Sequence, residues 1–389
     1  MFREGERVFM VGAAGEPTCL VDNALSAGVH LITSFVPGIN RIDPDVMADK
    51  TQVSALFAHP QVMRARPQQF KRLPISYGQF TRLLRDSFPI DTAVVQLSPP
   101  DADGRCSLGP MVEFALLAAR NANRVIGVLN NRTPRLPGTP TLWASDLNEV
   151  VEADTALPNY AVEPDDVARR IANLVLDIIP PRPTIQLGLG KIPNALTQGL
   201  STLRDLTFHS GMLSDGIMQL QNAGALLPGA THSTTALLGS DGFYEWAQEQ
   251  PEIRIAGCDE IHSARILGGY ERLVAINSAL EVDLNGQCDL EHAGGRAISG
   301  PGGAPDFARS AALSEGGCSI IALPASVKDA SRIVPRLSSG VASLGRSDVD
   351  VVVTEHGLAD LRGLDTPARR KALIAIAAPE HRAALEAAP

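Results

Sequence analysis

Aromatic side chains are scarce: they make up 4% of the 389 residues, so the core must rest on Ala, Val, Leu and Ile. That composition favours helices packed tightly on parallel sheets. Cysteine is also rare. Cys19, Cys106, Cys258, Cys288 and Cys318 are odd in number, widely spaced and never arranged as C-x-x-C. This argues against a disulfide framework and a structural zinc site, and each reads as a small buried hydrophobe. With no His-x-x-x-His spacing either, no metal is expected. Basic clusters are missing too. Lys and Arg total 34 against 43 Asp and Glu, a net charge of -9, and a nucleic-acid partner is not expected. Backbone N–H groups can still bind an anionic small molecule on an acidic chain. No stretch approaches the ~18 apolar residues of a membrane span. The charged start, Met1 to Arg7, lacks a signal-peptide apolar run. No membrane association is expected, and the cytoplasm is the expected location.

What is present is a plan used twice. The length suggests two domains. Val8-Phe9-Met10-Val11 runs into Gly12-Ala13-Ala14-Gly15-Glu16-Pro17, and Thr184-Ile185-Gln186-Leu187 runs into Gly188-Leu189-Gly190-Lys191-Ile192-Pro193. Each reads as a buried strand, a glycine turn and a helix opened by proline. Ala93 to Leu97 precedes Asp103-Gly104, and Leu273 to Asn277 precedes Asn285-Gly286; both dipeptides are strong turn signals. The strands Arg124 to Leu129 and Ser319 to Leu323 form a third pair, and Ser145 to Val151 with Ser347 to Val353 a fourth. Pro180, Pro181 and Pro183 mark the junction. Domains of 1–180 and 184–389 are expected, both parallel-rich α/β. A helix is expected over Pro164 to Asp177, with Val167, Ile171, Leu174 and Ile178 on its apolar face. Ligands of such sheets bind beyond the strand carboxyl ends, which points to the interdomain cleft.

Several motifs fall at such ends. Gly188 to Ile192 is a glycine turn entering a helix whose N–H groups face an anion; it reads equally as a tight strand-helix turn. Ser299-Gly300-Pro301-Gly302-Gly303-Ala304-Pro305-Asp306-Phe307 can present backbone N–H groups to a carbonyl or oxyanion. Thr354-Glu355-His356-Gly357 follows the strand Val349 to Val353, where Glu355 reads as a proton acceptor or, alternatively, as a helix-start residue. Phe208-His209-Ser210-Gly211-Met212-Leu213-Ser214-Asp215-Gly216 gathers His, Ser and Asp without showing that they converge.

Together these motifs resemble the acetyl-CoA hydrolase/4-hydroxybutyrate CoA-transferase group of the family I CoA-transferases. The likeness runs through Gly104 to Gly109, Gly188 to Pro193, Ala275 to Asp283, Gly302-Gly303-x-x-Asp306-Phe307, Ser331 to Pro335 and Val353-Thr354-Glu355-x-Gly357. It implies two related α/β domains of NagB/RpiA-like fold, a homodimer, and an active site at the domain interface. It implies coenzyme A, as an acyl-CoA substrate, held by Gly188, Leu189, Gly190, Lys191, Ile192, Gly302, Gly303 and Lys328, with a carboxylate or another acyl acceptor as second substrate. The resemblance also implies catalysis by a glutamate that passes through a glutamyl-CoA thioester. The family reads His-Thr/Ser-Glu-Met-x-x-Asp-Gly; here Gly211 occupies the glutamate's place.

Three readings follow. In the favoured one, the protein processes acyl-CoA without that intermediate, by hydrolysis or direct transfer, with Glu355, His262 or His209 as general base. His262 lies near a position where the family often has Asn. In the second, it is an inactive CoA-binding or scaffold relative. In the third, it is an ordinary transferase whose nucleophile comes from elsewhere, such as Glu245, or whose glutamate was exchanged for Gly211.

Overall fold

A computed structural model describes residues 1–388. Two large sheets hold the chain. Numbered along the chain, the strands of the first are β1 Arg7–Met10, β2 His30–Thr33, β3 Gln52–Ala55, β4 Phe70–Arg72, β5 Thr92–Leu97, β6 Arg124–Asn130 and β7 Glu149–Ala153. Those of the second are β8 Thr184–Leu187, β9 Thr207–Ser210, β10 His232–Thr234, β11 Ile253–Ile255, β12 Leu273–Asn277, β13 Cys318–Ala322, β14 Val351–Thr354 and β15 Gly357–Asp360. The first sheet runs 4-3-2-1-5-6-7 and the second 11-10-9-8-12-13-14-15. Apart from the antiparallel β15, the two orders are the same. The four segment pairs read from the sequence occupy corresponding strands.

The likeness extends to single hydrogen bonds. Asp101 Oδ1 accepts from the backbone N–H of Asp103 and Arg105, at 3.1 and 2.8 Å. Asp283 Oδ1 accepts from Asn285 and Gln287, at 2.9 and 3.0 Å. In both turns the carboxylate folds the chain back, and the glycine takes positive φ, +86° at Gly104 and +87° at Gly286.

The helix near the junction spans Asp166–Leu176 and starts later than the pattern suggests. The Asp165 carboxylate accepts from Ala168 N and caps it, leaving Pro164 outside. Its buried face is Ala168, Ile171, Ala172 and Val175, about one residue round from the expected stripe. The small alanines allow close packing on the helix Lys191–Leu200.

The two halves share one apolar cluster, from Phe9 and Phe114 in the first to Phe243, Ile276 and Val353 in the second. Backbone bonds cross the seam as well. Leu237 N donates to Pro110 O, Cys258 N to Glu113 O, Ile255 N to Gly138 O and Tyr77 N to Gly302 O, all within 3.0 Å. These satisfy groups that burial would otherwise strand. Arg72 and Glu291 form an ion pair across the same seam. Among the described residues, no helix is long and apolar enough to cross a membrane, and no three His, Cys, Asp or Glu side chains are grouped to hold a metal ion.

Gly138 shows how close the approach is. A Cβ there would overlap Ile253 O and stand 2.9 Å from Arg254 Cα. Because both obstacles are backbone, Gly138→Ala should cost about 1–3 kcal/mol of stability. Urea unfolding should register this as a lower midpoint at an unchanged slope.

Candidate active site

The carboxyl ends of the two sheets face each other across the seam, and the site is built there. On the second sheet, β8 ends at the Gly188 turn and the adjacent β9 ends at Ser210, directly before Gly211. Ser210 Oγ donates to Leu187 O at 3.0 Å and tethers the two turns. Gly190 has φ +126°, which a side chain would resist, and Pro193 follows in the first turn of its helix. The Lys191 ammonium is paired with Asp165 at 2.9 Å and is committed to the surface.

His262 ends the short helix Cys258–Ile261 and is 3% exposed. Its ring lies between Phe307 and Tyr77, with centroids 4.8 and 5.1 Å away, and against the backbone of Gly303. A Cβ on Gly303 would overlap the imidazole, so His262 requires that glycine. Neither ring nitrogen makes a hydrogen bond within the protein. Nδ1 is 3.5 Å from Asp306 Oδ2. Nε2 is 3.5 Å from the place where a Cβ on Gly211 would stand.

Asp306 is held from the opposite half. Ser76 Oγ donates to Oδ1 at 2.8 Å and Gly78 N to Oδ2 at 2.9 Å. Both donors begin the helix Tyr77–Asp86, whose own capping box pairs Ser76 with Gln79. A carboxylate at a helix N-terminus is favoured by the free N–H groups and the dipole. The arrangement fixes Asp306 beside Nδ1 and leaves Nε2 toward Gly211.

Gly211 differs from its neighbours. Gly302 has φ +54°, and Gly303 is forced by His262. Gly211 has no positive φ, and a Cβ on it would meet nothing closer than 3.5 Å. Neither backbone conformation nor crowding demands a glycine here.

The other candidates fall elsewhere. His209 is buried, with Nε2 bonded to Ile261 O and Nδ1 to the Tyr270 hydroxyl, both at 2.9 Å. Burial pulls its pKa down to about 4. Both of its ring nitrogens are thus occupied within the protein. Glu355 does follow a strand end, in the β14–β15 hairpin, with no helix start. From β9, four strand spacings of about 4.8 Å reach β14, or about 19 Å. Glu355 Oε2 accepts from Ala325 N at 2.8 Å instead, bracing the loop that carries exposed Lys328 at φ +54°. Glu355 is thus engaged away from Gly211. Glu245 is exposed on the helix Asp241–Ala247, where it lacks the enclosure a buried nucleophile needs.

Residue 63 to residue 155 matches the acetyl-CoA hydrolase/transferase N-terminal domain, and 239–388 matches the C-terminal domain of the same description. The chain is 34% identical to 4-hydroxybutyrate coenzyme A transferase of Clostridium kluyveri, over 97% of this chain and 92% of that protein. This chain belongs to the acetyl-CoA hydrolase/transferase family. Succinyl-CoA:cyclohexane-1-carboxylate CoA transferase of Geobacter metallireducens is 33% identical, over 96% and 89%. The crystal structure of RipA from Yersinia pestis superimposes with a TM-score of 0.88 at 26% identity, covering 100% of this chain and 94% of that one. The family processes acyl-CoA, so the enzyme class and the two-domain α/β fold follow.

Within this family frame, sequence reasoning overlooked the contribution of the first half. Glu113 is fully enclosed at φ +38°, bonded to Ser34 Oγ and to Tyr77, the ring that walls His262. Burial pushes its carboxyl up to about 7. The available signal was one charge in an otherwise apolar run, Leu108 to Leu117. Its raised pKa means that the folded state holds a proton the unfolded chain has already lost. The associated stability is full below pH ~4.5 and lost as pH rises through about 7. Melting temperatures at pH 5 and pH 8 should therefore show Glu113→Gln gaining on the wild type at the higher pH.

Proposed function

We propose that this enzyme cleaves an acyl-CoA thioester by direct attack of water, without a glutamyl-CoA intermediate, with His262 as general base. The observation that carries this reading is the unpartnered Nε2 of buried His262, 3.5 Å from where a Cβ on Gly211 would stand. A water there gives its proton to Nε2 while its oxygen attacks the thioester carbonyl. A C–O bond forms, the C–S bond then breaks, and the thiolate leaves. The proton taken by His262 is returned to the thiolate sulfur. Asp306 stabilises the imidazolium that exists between these events.

The backbone at Gly302 and Gly303 opens the helix Ala304–Leu313 and lies against the same imidazole. Its N–H groups are assigned to the carbonyl oxygen as negative charge develops. The Gly188 turn, tethered to β9 through Ser210, is assigned to the CoA side of the thioester. Glu355 follows β14, four strands from β9, and holds Ala325 N in the loop that carries Lys328; both are assigned to a distal part of the ligand rather than to the reacting carbonyl. The lack of a carboxylate at position 211 and the unpartnered Nε2 beside it support water over a second carboxylate as acceptor. The acyl group is left open.

Free thiol should appear when acyl-CoA esters are incubated without any carboxylate acceptor, and the rate should not need one. His262→Ala should lower kcat by about 10²–10⁴-fold. Acceptor-dependent exchange without thiol release would overturn the reading. A second test restores the missing side chain. Gly211→Glu should lose hydrolysis and accumulate a hydroxylamine-sensitive enzyme thioester, detected as an acyl-CoA-dependent mass increase.

A further inference from the structure

We propose that Glu113 is a positioning residue of this site: from the first half of the chain it sets the imidazole of His262 and the backbone at Gly211 relative to one another. The inference rests on the reading of His262 as base and deepens it. Glu113 is 3% exposed, and removing a carboxyl from water is unfavourable where an apolar side chain would pack freely. Its backbone is unfavourable as well, because φ +38° is a region that a side chain resists. The contacts of Glu113 show what holds both features in place.

Two of these contacts are backbone bonds across the seam. Glu113 N and Val112 N donate to Thr235 O, at 3.4 and 3.0 Å. Thr235 Oγ1 in turn donates to Gly211 O at 2.6 Å. On the other side, Glu113 O accepts from Cys258 N at 2.8 Å, and Cys258 O accepts from His262 N at 3.1 Å. Gly211 and His262 are therefore each two hydrogen bonds away from the same residue.

The side chain makes the third contact. Its carboxyl is bonded to Ser34 Oγ and to the Tyr77 hydroxyl. Ser34 Oγ also accepts from Gly12 N at 3.1 Å, which ties the carboxyl to the first turn of its own half. Tyr77 N donates to Gly302 O at 3.0 Å, and the Tyr77 ring centroid stands 5.1 Å from that of His262. With both ends of Tyr77 tied, the wall beside the imidazole is fixed. Neither nitrogen of His262 is held by a hydrogen bond within the protein, so the orientation of the ring depends on its walls and on Asp306. Displacing a catalytic group by about 1 Å is enough to lower a rate about 10²-fold.

Glycine at position 113 separates the side chain from the backbone, because it accepts the positive φ and removes the carboxyl. Glu113→Gly should lower kcat for thiol release about 10- to 100-fold with little change in KM. Glu113→Gln keeps one acceptor for Ser34 and one donor for Tyr77, and should recover most of that loss. Tyr77→Phe keeps the ring and removes its tether, and should lower kcat several-fold. Combined with Glu113→Gly it should cost nothing further, because the two changes break one link. Circular dichroism and melting curves establish which variants fold; should Glu113→Gly not fold, Tyr77→Phe decides. Wild-type kcat in Tyr77→Phe, additive losses in the double variant, a loss confined to KM, or Glu113→Gln as slow as Glu113→Gly overturns the positioning role while leaving hydrolysis standing. Absence of thiol release from the wild type overturns the hydrolytic reading and the positioning role with it.

Discussion

The arrangement depends on one contact: the carboxylate of Asp306 seated on the first turn of the helix Tyr77–Asp86. That contact joins residues about 230 positions apart. It lets the free N–H groups of one half receive the charge of the other. The same carboxylate stands beside His262, whose ring is wedged against Tyr77 of that helix and Phe307 of its own half. Docking of the halves and orientation of the base are therefore a single event. A seam that opened slightly would lose both.

What stands around Gly211 is more telling than the glycine itself. A glycine forced by positive φ or by crowding says only that the chain had to pass. Gly211 is under neither pressure, and its surroundings accept a Cβ at ordinary van der Waals contact. The polar group opposite it is a histidine with no partner in the protein, in a fold that otherwise satisfies nearly every buried polar atom. An unsatisfied buried imidazole is costly unless ligand or water completes it. The strain of Glu113 at φ +38° and its confinement behind Tyr77 belong to the same neighbourhood, where such features tend to cluster.

Much of the fold was legible along the chain. The strand read as Ser319 to Leu323 from its apolar run is Cys318–Ala322 in the fold, buried along its length. The Asp-Gly and Asn-Gly turns matched down to the bonds of Asp101 and Asp283. The junction helix was placed but rotated, because its apolar pattern competed with alanines that suit close packing better than leucine does. Of the three candidate side chains, His262 is the one the fold sets against Gly211. His209 lies nearer to Gly211 in sequence, yet its ring nitrogens are bonded to Ile261 O and the Tyr270 hydroxyl. Glu355 ends a strand of the right sheet, but the crossover connections place that strand four positions away.

By itself the sequence determined the duplicated α/β plan, the strand ends where glycines gather, and the lack of a carboxylate at position 211. These are local properties of hydrophobic period, turn chemistry and residue identity, and neighbours along the chain suffice to express them. Tertiary structure alone decided that Asp306 faces Ser76 and Gly78, that Tyr77 walls His262, and that Glu113 is enclosed behind it. Those pairings join residues from different halves. They arise only when the order of parallel strands and the docking of one sheet's carboxyl ends against the other's bring distant side chains together, and no period along the chain encodes that approach.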